Sequence, residues 1–371
     1  MRTVSRSAGV VSLRLTQAVL SLGILMGGRE ALANTITQNT SWTIDRPGTT
    51  AKYRVVAYGD SIFAGYNGSL SNVDKRAASW VQGEYLSNAW NTDIEVIRRT
   101  KSGAKADDIY NNKIVAEKSY MQDASTRVVT FEMCGNDFLQ ARDAFADQTG
   151  TCNYGVLDTA LASCTKYQEL AMQFVNANAG AATKKKMIMN LYYPGYGADN
   201  TLTSCKDSAT GKQVNRQEAM FPRLVRSNWR ACNFAAKNGF DCVDAFAEYM
   251  GADYDSNGDG KIDSTALRFT AGESENDYVQ RITSTLRATI RDANTHFATA
   301  STSIDYILSD DTHPTYSGST LYVGLFGGTG TGTSAPDYSG TQIVGGKNPV
   351  WNKFGHERAG WLHSLFAPAA P

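Results

Sequence analysis

The feature of this sequence that most limits its fold is a regular alternation of short apolar runs with longer helical patterns. Five runs have the length and composition of buried strands, namely 53–58, 93–98, 127–133, 186–192 and 240–244. Helical patterns follow them at 79–90, 104–119, 156–178, 215–237 and 276–299. Strands that alternate with helices of this length favour right-handed crossovers. The sequence therefore predicts an α/β fold in which a mainly parallel sheet carries helices on both faces.

The composition and charge of the chain exclude several classes of protein. With 371 residues, of which 42% are hydrophobic and 19% charged, the chain is long enough to bury a core and has the balance of a folded protein. Lysine plus arginine and aspartate plus glutamate both number 36, so the net charge indicates neither a nucleic-acid partner nor an anionic surface. No segment after the N-terminus is long and apolar enough to span a bilayer, so stable membrane insertion is not expected.

The N-terminus has the pattern of an export signal. Three arginines within the first fourteen residues precede a mostly apolar run at 15–26, and Ala31 and Ala33 supply the small residues that a signal peptidase recognises. We therefore expect residues 1–33 to be removed and the mature protein to be secreted or periplasmic. An uncleaved membrane anchor is the alternative, but the apolar run is shorter than the roughly 20 residues that span a bilayer. The Thr- and Asn-rich segment 34–52 is expected to be an N-terminal arm.

Six cysteines in an exported chain indicate disulfide bonds, and their even number allows all of them to pair. The sequence alone does not choose among the many connectivities. Short loops favour the pairs Cys152–Cys164 and Cys232–Cys242, which leaves Cys134 to pair with Cys205. A buried free thiol is the alternative for Cys134, which follows the apolar run 128–133. No C-x-x-C pair is present, so a cysteine-bound metal is not expected.

Short polar motifs stand where three of the predicted strands end. The first strand runs into Gly-Asp-Ser at 59–61, the second into Ser-Gly at 102–103 and the third into Gly-Asn-Asp at 135–137. After the last helical pattern comes Asp-Asp-Thr-His-Pro at 310–314. Because reactive groups gather at the carboxyl ends of the strands of a parallel sheet, the first three motifs are expected to meet at one edge. Each motif alone is compatible with a helix cap or an ordinary turn, so their combination carries the argument.

These motifs contain the residue types that acyl transfer requires. The Ser61 hydroxyl is a weak nucleophile until a base takes its proton, and His313 is the histidine with a carboxylate, that of Asp310, three residues upstream. Asp310 can accept the other imidazole N–H and orient the base. The oxyanion of a tetrahedral intermediate needs preorganised donors, which the Ser61 and Gly103 backbone N–H groups and the Asn136 side-chain amide can supply. This chemistry needs no cofactor.

In this order, the motifs resemble the four blocks of the SGNH (GDSL) hydrolase family. They match as Val-Val-Ala-Tyr-Gly-Asp-Ser at 55–61, Ser-Gly-Ala at 102–104, Gly-Asn-Asp at 135–137 and Asp-Asp-Thr-His-Pro at 310–314. The resemblance covers nearly all of the mature chain and implies one hydrolase domain over residues 53–371. It also implies a three-layer α/β/α sandwich around a mainly parallel five-stranded sheet.

The family blocks imply a role for individual residues of this sequence. By position within the blocks, Ser61 corresponds to the nucleophile, His313 to the base and Asp310 to the residue that orients the base. Gly103 and Asn136 correspond to the oxyanion donors. The resemblance thus implies an ester hydrolase that works through a covalent acyl-enzyme.

The sequence departs from the family pattern at two places. Cys134 stands where the third block usually carries a small residue, which implies different local packing. The helix pattern N-x-x-G-H-x-x-x-A, which often follows the catalytic histidine closely, appears only at 352–359. We infer a Gly- and Thr-rich insertion at 315–351, for which a lid or acyl-binding loop and a simple surface loop are equally open interpretations.

An acidic segment at 253–266 has the spacing of a calcium-binding loop. Its oxygen ligands would be Asp255, Asn257, Asp259, the Lys261 carbonyl and Asp263. Gly260 stands at the sharp turn, but Ala266 replaces the bidentate glutamate at the last position. The sequence favours a structural calcium ion here, with an acidic turn that satisfies its own backbone as the alternative.

The predicted function is a carboxylic ester hydrolase, an esterase or lipase, that acts on a lipid or small acyl ester. The aromatic segment 192–197 and the insertion favour an apolar acyl chain, although 192–197 is equally open to interpretation as a plain loop. Two alternatives stay open, a carbohydrate or cell-wall O-acetyl esterase acting on acetylated polysaccharide and a catalytically silent, calcium-stabilised binding module. Nucleic acid is not expected as a partner.

Overall fold

The computed structural model describes residues 35–46, 48–50, 52–69, 72–73, 78–192, 199, 201–246 and 267–289. Several predictions concern segments outside these residues. They are the export signal at 1–33, the calcium-type loop at 253–266, the motif with Asp310 and His313, and the insertion at 315–351.

The strands of the described part form one large sheet and two small pairs. They are β1 (Ile36–Ile44), β2 (Lys52–Gly59), β3 (Tyr66–Ser69), β4 (Asn72–Val73), β5 (Asp93–Ser102), β6 (Thr126–Phe131), β7 (Lys185–Met189), β8 (Leu202–Lys206), β9 (Gln213–Asn215) and β10 (Asp241–Val243). The large sheet has the order β1-β5-β2-β6-β7-β10. In it β5, β2, β6, β7 and β10 run parallel, and β1 is antiparallel to β5 at the edge. The small pairs are β3 with β4 and β8 with β9, both antiparallel.

Three long helices lie where the sequence predicts them, at 79–90, 156–178 and 215–237, whereas the helix that begins at the Gly-Asn-Asp motif was not predicted. The helices of the described part are α1 (Ser61–Ala64), α2 (Ala78–Trp90), α3 (Ala106–Ile109), α4 (Ser119–Gln122), α5 (Gly135–Ala146), α6 (Gly155–Asn178), α7 (Arg216–Lys237) and α8 (Glu275–Thr289). The helix predicted at 104–119 is divided into α3, a π-helical turn at Tyr110–Val115 and α4. Of the helices in the described ranges, none is long and apolar enough to cross a membrane.

The sheet contains the five parallel strands that the family resemblance implies and a sixth, antiparallel strand that it does not. This sixth strand, β1, comes from the segment 34–52 that was predicted to be an arm. It pairs with β5 along its whole length, from Ile36 opposite Ser102 to Ile44 opposite Ile94. Its threonines and isoleucines favour extended backbone, but only the exposed edge of β5 provides the partner.

Helices cover both faces of the sheet because successive side chains of a strand point to opposite faces. Val56 and Tyr58 of β2 belong to the buried cluster that also includes residues of α5, α6 and α7. On the other face α2 approaches so closely that a Cβ on Gly83 would collide with Val96 of β5. The result is the three-layer α/β/α arrangement that the resemblance implies.

The cysteines form three disulfide bonds, Cys134–Cys164, Cys152–Cys205 and Cys232–Cys242. Only the last agrees with the pairing expected from short loops, and the other two expected pairs were wrong. Cys134 is not a free thiol. Cys164 of α6 reaches Cys134, the N-cap residue of α5, because these two helices pack together. Loop length along the chain does not reveal such a contact.

Candidate active site

Ser61 lies in a tight turn that leads from β2 into α1. Asp60, the N-cap residue, accepts the Ile62 backbone N–H on Oδ1 at 2.9 Å. Gly65 ends the helix in the left-handed conformation, with a φ of 77°. Ser61 is therefore the first residue of a one-turn helix at the carboxyl end of β2, and it is 5% exposed. The motif forms the helix cap that its sequence allows and also holds the serine at the end of the strand.

Gly59 is required because two side chains occupy the space next to its Cα. A Cβ at this position would lie 2.5 Å from Glu132 Oε1 and 2.9 Å from Phe63 Cβ. Neither approach is possible in a close-packed interior unless neighbouring groups move. Glu132 Oε1 also accepts the Asp60 backbone N–H at 2.6 Å. A buried glutamate therefore packs directly against the turn that carries Ser61.

Asn136 connects the three motifs at the strand ends. It lies in the first turn of α5, and its Nδ2 donates to Asp60 Oδ2 at 3.0 Å. The same Nδ2 donates to the carbonyl oxygen of Ala104 at 3.1 Å. Gly135 permits this approach, since a Cβ there would lie 3.2 Å from Asp60 Oδ2. The motifs that follow β2, β5 and β6 thus meet at one edge of the sheet, as expected from the parallel topology.

The turn at Gly103 is held in place by the third motif. Gly103 has a φ of 80°, which residues with a side chain rarely adopt. Asp137 Oδ2 accepts the Ala106 N–H at 2.8 Å, and Asp137 Oδ1 accepts Ser163 Oγ at 3.2 Å. Burial raises the pKa of Asp137 to about 6, although these hydrogen bonds act in the opposite direction. Asp137, for which the sequence suggested no role, therefore fixes the second motif relative to the third.

Glu132 is another residue of this site that the sequence analysis missed. Its side chain is fully buried. Burial raises its pKa well above the ordinary value, and the neighbouring Asp60 carboxylate raises it further. The sequence did contain a signal, an acidic residue inside the apolar run 128–133. A buried acid in such a run is costly unless it has a specific partner.

A pocket open to solvent lies beside Ser61, which forms part of its lining. Asp60, Gly135 and Asn136 contribute to its wall. Its other walls are largely apolar and include the side chains of Ile62, Leu139, Met189, Leu191 and Tyr192. Tyr192 therefore lines the pocket, in line with one of the two interpretations of segment 192–197; the rest of that segment lies outside the described residues.

Cys134 fixes the turn that presents Asn136. Its φ of 89° lies in the left-handed region, which is strained for a residue with a side chain. The disulfide bond to Cys164 of α6 holds this residue at the start of α5. Where the family pattern usually has a small residue, this chain therefore has a cysteine whose disulfide bond ties the start of α5 to α6.

Two groups of predicted site residues, the base with its orienting aspartate and the calcium ligands, lie outside the part of the chain that the structure describes. His313 and Asp310 lie outside the described residues. So do the residues expected to bind calcium, namely Asp255, Asn257, Asp259, Lys261 and Asp263. Within the described ranges, no group of three or more His, Cys, Asp or Glu side chains is arranged to hold a metal ion. The roles of both groups stay predictions from the sequence.

The chain is similar to known ester hydrolases. The model of the GDSL-like lipase/acylhydrolase family matches residues 55–322, a stretch that contains all four motifs. No curated protein sequence matches the chain significantly.

Similar solved structures come from several sources. A lipase from a goat rumen metagenome has 15% identity and a TM-score of 0.40, with 65% of this chain and 99% of the lipase covered. A phospholipase A1 from Streptomyces albidoflavus has 17% identity and a TM-score of 0.39, with 62% of this chain and 98% of the phospholipase covered. An acetylxylan esterase from Geobacillus stearothermophilus has 14% identity and a TM-score of 0.33, with 55% of this chain and 80% of the esterase covered.

Proposed function

This chain belongs to the GDSL-like lipase/acylhydrolase family, whose members are serine hydrolases acting on esters, and we propose that it is a secreted carboxylic ester hydrolase that forms an acyl-enzyme on Ser61. The observation that carries this proposal is the meeting of three motifs around Ser61, beside a pocket with apolar walls. Parallel strands commonly present reactive groups at this edge.

In the proposed reaction, Ser61 Oγ attacks the ester carbonyl carbon while His313 takes the hydroxyl proton. Asp310 accepts the other imidazole N–H and stabilises the cation that forms. Collapse of the tetrahedral intermediate breaks the ester C–O bond, and His313 gives the proton to the departing alcohol. Water, activated by the same histidine, then releases the acid from Ser61. The family match, which extends past His313, supports this assignment.

The negative charge of the tetrahedral intermediate is proposed to rest on the backbone N–H groups of Ser61 and Gly103 and on Asn136 Nδ2. This Nδ2 has two acceptors in the structure, Asp60 Oδ2 and the Ala104 carbonyl. The bond to the Asp60 carboxylate is charge-assisted and is the stronger anchor. The Ala104 carbonyl is the acceptor that an oxyanion replaces. In this proposal the Asn136 amide keeps its bond to Asp60 while it exchanges the Ala104 carbonyl for the oxyanion.

The pocket supports an apolar acyl group as the part of the substrate that binds beside Ser61. Its wall at Leu191 is held firmly, because Asn228 of α7 accepts the Leu191 N–H at 2.9 Å and donates to the Leu191 carbonyl at 2.6 Å. Each buried methylene contributes about 0.8 kcal/mol. We therefore expect kcat/KM to rise with acyl length until the pocket is full, as in an esterase or lipase.

We also propose that residues 1–33 direct export and that the segment 253–266 binds a structural calcium ion. All six cysteines pair, which is typical of proteins from oxidising compartments and supports export. Oxygen ligands at calcium-loop spacing support the second proposal. For the insertion at 315–351, a lid and a surface loop stay alternative proposals.

The test is hydrolysis of p-nitrophenyl acetate, butyrate, octanoate and palmitate by the mature protein, by Ser61→Ala and by the control Ser79→Ala. Ser79 is a similarly buried serine on α2 that does not line the pocket. We expect Ser61→Ala to abolish turnover and Ser79→Ala to keep it near the wild-type level. A fluorophosphonate probe should label Ser61 in the wild-type protein.

Other outcomes would change the assignment. Turnover restricted to acetyl esters, together with activity on acetylated polysaccharide, would indicate an O-acetyl esterase. A folded protein that neither hydrolyses esters nor reacts with the fluorophosphonate would indicate a silent binding module.

A further inference from the structure

Two carboxyl groups, those of Asp60 and Glu132, meet inside the protein next to the turn that carries Ser61. They are 1% and 0% exposed, respectively. Glu132 Oε1 accepts the Asp60 backbone N–H at 2.6 Å, and the Asp60 carboxylate is the charge that acts on Glu132. The proposed reaction does not use Glu132, although an uncompensated buried carboxylate is costly. This pair therefore needs an explanation.

The hydrogen-bond partners indicate which of the two groups is ionised. Asp60 Oδ1 accepts the Ile62 N–H and Oδ2 accepts the Asn136 amide, so each oxygen has a donor, as suits a carboxylate. Glu132 Oε2 is buried and has no hydrogen-bond donor among the described residues. Two adjacent buried carboxylates repel each other, so the pair should hold one proton. Burial and the Asp60 charge both raise the pKa of Glu132, which places the proton on Glu132.

We propose that Glu132 is a positioning residue for the oxyanion site, because its carboxyl O–H donates to the Asp60 carboxylate and fixes the group that holds Asn136. This inference rests on the proposed function, since the position of Asn136 matters for turnover only if its amide binds an oxyanion. Glu132 also fixes the backbone N–H of Asp60, the residue immediately before the nucleophile. One buried side chain thus holds both the serine turn and the oxyanion donor.

Two substitutions separate hydrogen bonding from packing at this position. Leucine fills a similar volume but removes the acceptor of the Asp60 N–H and the proposed donor to the Asp60 carboxylate, and loss of a partner is costly for a buried polar group. Glutamine has the size of glutamate, accepts the Asp60 N–H through its carbonyl and donates to the carboxylate through its amide. A positioning role therefore predicts that Glu132→Gln preserves function and that Glu132→Leu does not.

The experiment measures kcat and KM on p-nitrophenyl butyrate for the wild-type mature protein, Glu132→Gln, Glu132→Leu and the stability control Val175→Ala. Val175 is fully buried on α6 and does not line the pocket. With rates corrected for the folded fraction, we expect Glu132→Gln to keep kcat within about threefold and Glu132→Leu to lose about 10- to 100-fold in kcat with KM little changed. Val175→Ala should lower the melting temperature and keep kcat. Wild-type kcat in Glu132→Leu, or equal losses in both Glu132 variants, would overturn the proposal.

Infrared spectroscopy keeps the test decisive if Glu132→Leu does not fold. At about pH 8, where exposed carboxyl groups are ionised, the difference spectrum between wild type and Glu132→Gln should contain the carbonyl stretch of one protonated carboxyl group. Normal turnover without this band would overturn the inference and leave the proposed function intact. A folded wild-type protein that shows the band but hydrolyses no ester would overturn the proposed function, and the positioning role with it.

Discussion

Asn136 lies 76 residues after Asp60 in the sequence, and its side-chain amide donates to Asp60 Oδ2 at 3.0 Å. This contact joins the end of β2 to the start of α5 and places the proposed oxyanion donor beside the proposed nucleophile, Ser61. Asp60 also caps α1 through the Ile62 N–H. One carboxylate therefore orients both the serine turn and the amide, so loss of the amide should affect catalysis more than folding.

Removal of the Asn136 amide should lower kcat by about 10²- to 10³-fold, the usual effect of deleting one oxyanion donor. KM should change little, because the amide acts on charge that develops in the transition state. Steady-state kinetics of Asn136→Ala on p-nitrophenyl butyrate check this. The control Asn176→Ala removes an exposed asparagine of α6 and should retain turnover. An unchanged kcat in Asn136→Ala would remove this residue from the proposed site.

Replacement of His313 with alanine should lower the rate by several orders of magnitude, because the members of a catalytic triad act as one unit. Asp310→Asn should also be impaired, since it loses the charge that orients the imidazole. The control His356→Ala removes a histidine outside the four motifs and should remain active. Near-wild-type turnover in His313→Ala would show that another group is the base.

The buried carboxyl group of Asp137 should make the stability of the protein depend on pH. Burial raises the pKa of Asp137 from 3.8 to about 6, so the folded protein keeps a proton that the unfolded chain has lost. The stability contribution of this group is fully present below the unfolded pKa and is lost as the pH rises towards the folded pKa. The free energy of unfolding should therefore fall by up to about 3 kcal/mol between about pH 4 and pH 6, at about 1.36 kcal/mol per pKa unit.

Asp137→Asn removes this titration and keeps groups that can accept the Ala106 N–H and bond to Ser163. Urea unfolding of wild type and variant across this pH range should show a smaller fall for the variant. Asp143→Asn, whose carboxyl group is 69% exposed on the same helix, serves as the control and should keep the wild-type slope. Identical slopes for wild type and Asp137→Asn would contradict the prediction.

The left-handed backbone at Cys134 predicts an unusual rescue by glycine. Loss of the disulfide bond in the double variant Cys134→Ala/Cys164→Ala should lower the free energy of unfolding by about 2–4 kcal/mol. Cys134→Gly/Cys164→Ala should recover about 1 kcal/mol of this loss, because glycine adopts the φ of 89° without strain. Urea unfolding of both double variants measures the difference. Equal stability of the two would show that the backbone relaxes once the disulfide bond is gone.

Chelation of calcium should lower the melting temperature if the segment 253–266 binds the ion, because an ion that binds only the folded state stabilises it. Asp255→Ala and Asp259→Ala should remove this sensitivity and melt like the chelated wild-type protein. Differential scanning calorimetry with excess chelator, with and without added calcium, is the measurement. A wild-type melting curve that excess chelator leaves unchanged would favour the acidic turn.

The sequence by itself determined the parallel strands, three of the long helices and the residues at the strand ends, but it did not predict α5 or the two small strand pairs. The helices predicted at 79–90, 156–178 and 215–237 agree with α2, α6 and α7 to within one residue at each end. Hydrophobic periodicity reports these elements because it depends on near neighbours in the chain. The meeting of Asp60 and Asn136 could also be anticipated, since parallel strands bring their carboxyl ends to one edge.

Only the tertiary structure decided how the remaining groups pair. The strand β1 was expected to be an arm, because its partner β5 begins 49 residues after Ile44 and no local pattern identifies it. Cys134 pairs with Cys164 because α5 packs on α6, and a preference for short loops pointed elsewhere. The sequence places Glu132 in a predicted strand, and only the structure shows that its carboxyl group is buried against Asp60. Strand pairing, disulfide formation and desolvation all depend on distance in space, which separation along the chain does not determine.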